Sequence, residues 1–115
     1  MSQVGRKASM ADVIMTILDG GLRTTAVVGD EGKLIGVITE GDVLRAVARG
    51  SGPGLKAEDL MNVSPGFVME PLEDEDLVRQ FLDLGRLAVP VIDADGCFIR
   101  LEPTASAVDR LLHRP

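Results

Sequence analysis

Between residues 36 and 42 the chain reads Gly36-Val37-Ile38-Thr39-Glu40-Gly41-Asp42, and these are the side chains best suited to hold a ligand. An extended run ends at Ile38 and a helical pattern begins within three residues. At such a junction the unpaired N–H groups of the first helical turn attract anions. Gly41 lets another group approach the backbone closely. Asp42, when ionised, only accepts hydrogen bonds, which suits two vicinal hydroxyls such as those of a ribose. Arg45 lies one turn further on, where a guanidinium reaches a phosphate. Thr39 offers its hydroxyl to ligand or backbone. A second explanation uses the same residues: Thr-x-x-Asp ahead of an apolar helix has the pattern of a capping box, which needs no ligand. On the turn alone the two explanations stand side by side.

Other reactive residues are sparse. His113 is the only histidine and is the third residue from the end of the chain, where helices fray. Cys97 is the only cysteine; it alternates with apolar neighbours as a packed thiol would, and it excludes a disulfide frame or a zinc cluster. Gly29-Asp30-Glu31-Gly32-Lys33 is too short for a phosphate loop, and Leu34 follows the lysine, so a hairpin turn explains it. Glu70, Glu73, Asp74, Glu75 and Asp76 form a dense acidic cluster. Their spacing is not that of a calcium loop, and carboxylates there suit the start of a helix. No metal site and no catalytic set follow from this inventory, and the chain is expected not to be an enzyme.

Charge and composition narrow the partners. Of 115 residues 45% are hydrophobic, enough for a core, and the net charge is −6. Through Leu60 there are seven Lys/Arg against eight Asp/Glu; beyond it, five against ten. With three phenylalanines as its only aromatics, the chain lacks the basic footprint and stacking surface of a nucleic-acid binder. No apolar run approaches the ~18–20 residues needed to span a bilayer, and no basic-then-apolar leader opens the sequence. The expected setting is cytoplasmic, without membrane or nucleic acid.

What positions the turn is an internal repeat. Shifted by sixty-four residues, Val13, Ile14, Ile17 and Leu18 fall on Leu77, Val78, Phe81 and Leu82. Val27 and Val28 fall on Val91 and Ile92, Gly32 on Gly96, and Val47 on Leu111. Two copies of one supersecondary unit are implied. The first copy predicts a short strand around Val4, then a helix from Ser9 as N-cap to Gly20-Gly21. A strand over Thr24–Val28, a returning strand over Lys33–Ile38 and a helix to about Arg49 that buries Val43, Leu44 and Val47 complete it. The second predicts a strand near Phe67–Met69, helix 73–83, strands 88–93 and 97–101 around Asp95-Gly96, and helix 104–112. Gly50–Gly54 is a loop, Ala57–Met61 a turn or two of helix, and Ser64–Gly66 a break. The expected fold is therefore α/β (α+β), with two β-α-β-β-α repeats about a pseudo-twofold axis. Residues 1–50 are the first repeat, 51–66 a linker with a short helix, and 67–115 a second, degenerate repeat. Each repeat's helices carry apolar stripes that a unit this small has limited means to cover, which predicts a homodimer.

Gly36–Asp42 entering a helix resembles the tandem cystathionine-β-synthase (CBS) domain pair. Thr25–Gly36, Asp59-Leu60-Met61-Asn62 and Val89–Gly96 support that resemblance, which runs from about Val4 to Leu112. It implies a regulatory module that binds AMP, ADP, ATP or S-adenosylmethionine in a cleft between repeats and needs no cofactor of its own. Thr39 and Asp42 would hold the phosphate side and the ribose, with Ile38, Gly41 and Arg45 around them. Arg23, Thr24, Thr25 and Ala26 would line the base pocket. Sugar-phosphate isomerases and nucleotidyltransferases are the partner enzymes the resemblance suggests, and a ligand-free dimerisation scaffold is the alternative. In the second copy the positions of Thr39, Gly41 and Asp42 hold Pro103, Ala105 and Ser106. One ligand per chain is expected, on the first copy.

Overall fold

In the computed structural model, which describes residues 2–51, 54–63 and 66–113, the chain divides into two units, Met1–Pro65 and Gly66–Pro115. Gly52, Pro53, Ser64 and Pro65, where a loop and a break are expected, lie outside the described residues.

The first unit runs β1 (Gln3–Gly5), α1 (Met10–Gly20), β2 (Thr24–Val28), β3 (Leu34–Thr39), α2 (Glu40–Ala48) and α3 (Ala57–Leu60). The three strands form one sheet in that order, β1 parallel and β3 antiparallel to β2. Local chemistry sets the boundaries. The Ser9 hydroxyl accepts from Asp12 N–H at 3.1 Å and opens α1. Gly21 closes the helix in the left-handed conformation, φ 71°, which glycine adopts without penalty. Gly29–Lys33 is the hairpin turn, with Gly29 N–H donating to the Lys33 carbonyl at 2.8 Å.

The second unit repeats the plan as β4 (Val68–Met69), α4 (Asp74–Leu84), β5 (Ala88–Ile92), β6 (Phe98–Pro103) and α5 (Ala105–Leu112). The sixty-four-residue offset holds in the register itself. Thr24 pairs with Thr39 and Ala88 with Pro103, and the register shifts between Val27 and Val28 as it does between Val91 and Ile92. The acidic cluster opens α4 as expected, and it also ties elements together. Asp74 accepts from Arg110 Nε at 2.6 Å, joining α4 to α5. Glu70 accepts from Arg100 at 2.9 Å. That hydrogen bond, together with the nearby Glu102, holds the Arg100 guanidinium above its ordinary pKa.

Each unit has its own core. Val4, Val13, Ile17, Val27, Ile38, Val43 and Ala57 fill the first; Val68, Leu77, Val89, Val91 and Ala107 fill the second. One expectation needs correction. On α2 Val43 is buried, but Leu44 and Val47 are 61% and 56% exposed, and Ala46 is turned inward instead. The apolar stripe of each long helix is wider than the single column that meets the sheet. Leu18 on α1, and Phe81 and Leu82 on α4, likewise face outward. Among the described residues no helix is long and apolar enough to cross a membrane.

Candidate functional site

The strand pairing gathers the residues that the sequence separates. Thr24 and Thr25 lie across from Thr39 and Ile38, and Glu40 N–H donates to the Arg23 carbonyl at 2.9 Å. Arg23, with φ 58°, therefore turns the chain into β2 directly beside the first turn of α2. Thr25, Ala26 and Ile38 are wholly buried, and Ile38 belongs to the core. The Thr25 hydroxyl donates to the Ala26 carbonyl at 3.1 Å. Thr24 is nearly buried, whereas the side chains of Arg23, Asp42 and Arg45 remain 81%, 23% and 61% exposed.

At the head of α2 the capping box is complete. Thr39 N–H donates to Asp42 Oδ2 at 2.8 Å, and Asp42 N–H donates to the Thr39 hydroxyl at 3.2 Å. Two orphan donors of the helix end are thus satisfied reciprocally. The second Asp42 oxygen, Oδ1, accepts from Arg45 Nη2 at 2.7 Å. Gly41 leaves room for that contact. A Cβ built on it would stand 3.2 Å from Arg45 Nη1, so the guanidinium lies over bare backbone. The close approach that glycine permits is used here by the chain's own arginine. Arg23 also reaches Glu40, loosely, at 3.7 Å.

Sequence reasoning missed the neighbourhood on the far side of Asp42. An open cleft of ≈ 280 Å³ runs from Asp42 and Arg45 to Arg49, Ser51 and Asp59. The i, i+4 spacing of Arg45 and Arg49 was the available signal; Ser51 and Asp59 had none, because Ser51 is brought in by its N–H bond to the Ala46 carbonyl past the end of α2 and Asp59 by α3. Among the described residues, no three His, Cys, Asp or Glu side chains are grouped to hold a metal ion. His113 hydrogen-bonds back to the Asp109 carbonyl, Nδ1 to O 2.8 Å.

The matched turn of the second unit is built differently. Thr104 N–H donates to the Leu87 carbonyl at 3.0 Å, repeating the Glu40–Arg23 bond. Its hydroxyl, however, turns back onto the carbonyls of Arg86 and Leu87 at 3.1 and 3.2 Å. Thr104 is itself helical, φ −64° and ψ −28°, and α5 begins without a side-chain cap. With Pro103 and Ser106 where Thr39 and Asp42 would stand, this turn has neither a capping box nor a carboxylate at the Asp42 position.

Comparison with known proteins bears on both units. Residues 3–49 match the family model of the CBS domain. The chain superposes on the CBS-pair protein CBSX2 of Arabidopsis thaliana, solved in complex with AMP, with a TM-score of 0.82 and 26% identity, over 97% of this chain and 87% of that one. A CBS domain protein from Pyrobaculum aerophilum, complexed with AMP, matches in fold with a TM-score of 0.83 at 16% identity, over 98% and 92% of the two chains. An uncharacterized protein of Methanopyrus kandleri is 28% identical over 90 residues, 76% of this chain. The chain spans only 46% of that relative's length.

Proposed function

We propose that this chain, a tandem pair of CBS domains, is a non-catalytic regulatory module that binds one adenosine-containing ligand at the turn of its first unit. AMP, ADP, ATP and S-adenosylmethionine are the candidates. The observation that carries this reading is the convergence of Arg23, Thr24, Thr39, Asp42 and Arg45 on one end of the β2–β3 hairpin, in a unit whose repeat-mate lacks the set. The AMP complexes of two similar CBS-pair structures support the ligand class.

The geometry suggests how binding proceeds. Asp42 Oδ2 stays with Thr39 N–H and keeps α2 capped. A ribose hydroxyl takes Oδ1, and Arg45 is released towards a phosphate or other anionic group. The exchanged ion pair is exposed and contributes about 0–1 kcal/mol. Hydrogen bonds to charged groups contribute about 1.5–3 kcal/mol. The exchange therefore favours the ligand. A partner enzyme of sugar-phosphate or nucleotidyl-transfer chemistry would read the bound state, and the ligand shifts that state only by its differential affinity.

A thermal-shift panel of AMP, ADP, ATP, S-adenosylmethionine and NAD tests the reading. A true ligand at about 100 times its dissociation constant adds ~2.7 kcal/mol of stability. Calorimetry of that ligand should then return one site per chain. Two equivalent sites would show that the second unit's turn also binds. A panel without any shift would transfer the function to the scaffold reading.

The scaffold reading has its own observation. Leu18, Leu44 and Val47 in the first unit, and Phe81, Leu82, Val108 and Leu112 in the second, expose apolar side chains on helices. We expect these faces to be covered by a second copy of the chain. Light scattering at tens of micromolar should give about twice 12.2 kDa, and a mass of 12.2 kDa would refute the homodimer.

A further inference from the structure

Residues Lys56–Asn62 form a strap across the first unit. Ala57 N–H donates to the Ala8 carbonyl and Glu58 N–H to the Arg6 carbonyl, both at 2.9 Å. Lys7 pairs with Glu58, and Ala57 is wholly buried in the core. The strap ends as a fragment of strand on the outer edge of β3. Asn62 N–H donates to the Val37 carbonyl at 2.8 Å, and Val37 N–H donates to the Asn62 carbonyl at 3.1 Å. Met61 lies over Gly36 so closely that a Cβ there would meet Met61 Sδ at 2.7 Å and its Cβ and Cγ at 2.9 Å. Glycine inside a strand here marks a close approach of another segment.

The second unit has the same edge in a different state. Pro90 faces Leu101, and Ala88 faces Pro103. Neither proline can donate to the ladder, so β5 and β6 bond through the alternate pairs and the Leu101 N–H and C=O point outward, as those of Val37 do. No described residue pairs with Leu101 from that side. The position matching Gly36 is Arg100, whose guanidinium is held by Glu70 at 2.9 Å and Glu102 at 3.5 Å. The positions matching Arg6, Lys7 and Ser9 are Glu70, Pro71 and Glu73. The strap itself carries Glu58 and Asp59 against one lysine, Lys56.

We propose that one repeat position, glycine at 36 and arginine at 100, assigns the linker to the first unit and keeps the edge of the second closed to it. Shape and charge agree. Glycine leaves the room that Met61 fills, beside the basic Arg6 and Lys7. Arginine fills that room in the second unit, beside acids that repel an acidic strap. A charged side chain turned in at an edge is a general device against unwanted strand addition. The assignment does not depend on the nucleotide reading, although the strap joins β3 two residues before Thr39.

Hydrogen exchange on the full chain tests it. In the wild-type chain the amides of Ala57, Glu58, Val37 and Asn62 exchange slowly and that of Leu101 quickly; a slow Leu101 amide would overturn the proposal. Gly36→Arg should lower protection at Ala57, Glu58 and Asn62 by roughly tenfold or more, while Val89 and Val91 keep theirs. Protection that survives Gly36→Arg would also overturn it. Should arginine unfold the whole first unit, Gly36→Ala gives the decision. It should loosen the same amides and recover them when Met61→Gly is added, and a loss that Met61→Gly does not repair would show that Met61 is not what glycine accommodates.

Discussion

Asp42→Ala should weaken binding of the adenosine ligand by roughly 10- to 150-fold, the equivalent of one lost hydrogen bond to a charged group at ~1.5–3 kcal/mol. The same substitution strips Thr39 N–H of its acceptor and breaks the Arg45 pair, so a stability loss of about 0.5–2 kcal/mol accompanies it. The two effects separate in Asp42→Asn. An asparagine oxygen can still accept from Thr39 N–H, but the charge that attracts the ribose hydroxyl is gone. Melting should then return close to the wild-type value while affinity stays low. Calorimetry and thermal denaturation of both variants decide the matter. If Asp42→Ala lowers stability and leaves affinity untouched, the carboxylate is a helix cap and nothing more, and the ribose assignment fails. Arg45→Ala is a useful companion, because it should not mimic Asp42→Ala. It frees Oδ1 for the ligand while removing a partner for the ligand's anionic group, so its effect should be smaller for a ligand without phosphates.

Leu77→Ala should be the most damaging single truncation in the second unit. Leu77 is wholly buried among Val68, Val89, Val91 and Ala107. Leucine-to-alanine changes at such sites remove about 2–5 kcal/mol, the transfer free energy plus that of the cavity left behind. Against a total of about 5–15 kcal/mol for an ordinary domain, that is a large share. Leu82, five residues on, has the same chemistry and is 73% exposed. Leu82→Ala should change the stability of the isolated chain by no more than about 0.5 kcal/mol. If the outward faces pair two copies, its effect should instead appear as a midpoint that depends more steeply on chain concentration. Urea denaturation of both variants, at two concentrations, measures this. Equal effects at the two leucines would mean that α4 does not present its stripe to the sheet as described.

The elements that were legible in the sequence are those whose signals are local. Thr24–Val28 is a strand because four of its five residues are β-branched and turn residues flank them. α1 starts at Ser9 and stops at Gly21 because a hydroxyl and a left-handed glycine act within one turn of the residues they cap. The repeat was visible because its apolar pattern and its turns recur at one spacing, and the shared register shift at Val27/Val28 and Val91/Ile92 follows from the same cause. At the site, the types and spacing of Thr39, Gly41, Asp42 and Arg45 were enough to single out the turn. They were not enough to choose between a cap and a ligand contact, because both need a carboxylate three residues after a hydroxyl.

Tertiary structure decided the rest. Sequence periodicity marks α2 as two-faced, but whether Leu44 or Ala46 meets the sheet depends on how near β3 and α3 approach the helix. The Arg45 guanidinium over Gly41 required a side-chain direction that spacing does not specify. Thr104 keeps a hydroxyl at the second turn, yet that hydroxyl is spent on Arg86 and Leu87, eighteen and seventeen residues earlier in the chain. The sequence placed residues 51–66 between the repeats, while the pairing of Asn62 with Val37 draws the short helix onto the first sheet. Helices, strands and turns follow from interactions among residues a few positions apart, so composition and spacing determine them. Which edge receives a strap, which column of a stripe is buried and which oxygen keeps its partner follow from contacts between distant segments, and those exist only once the chain has closed around its core.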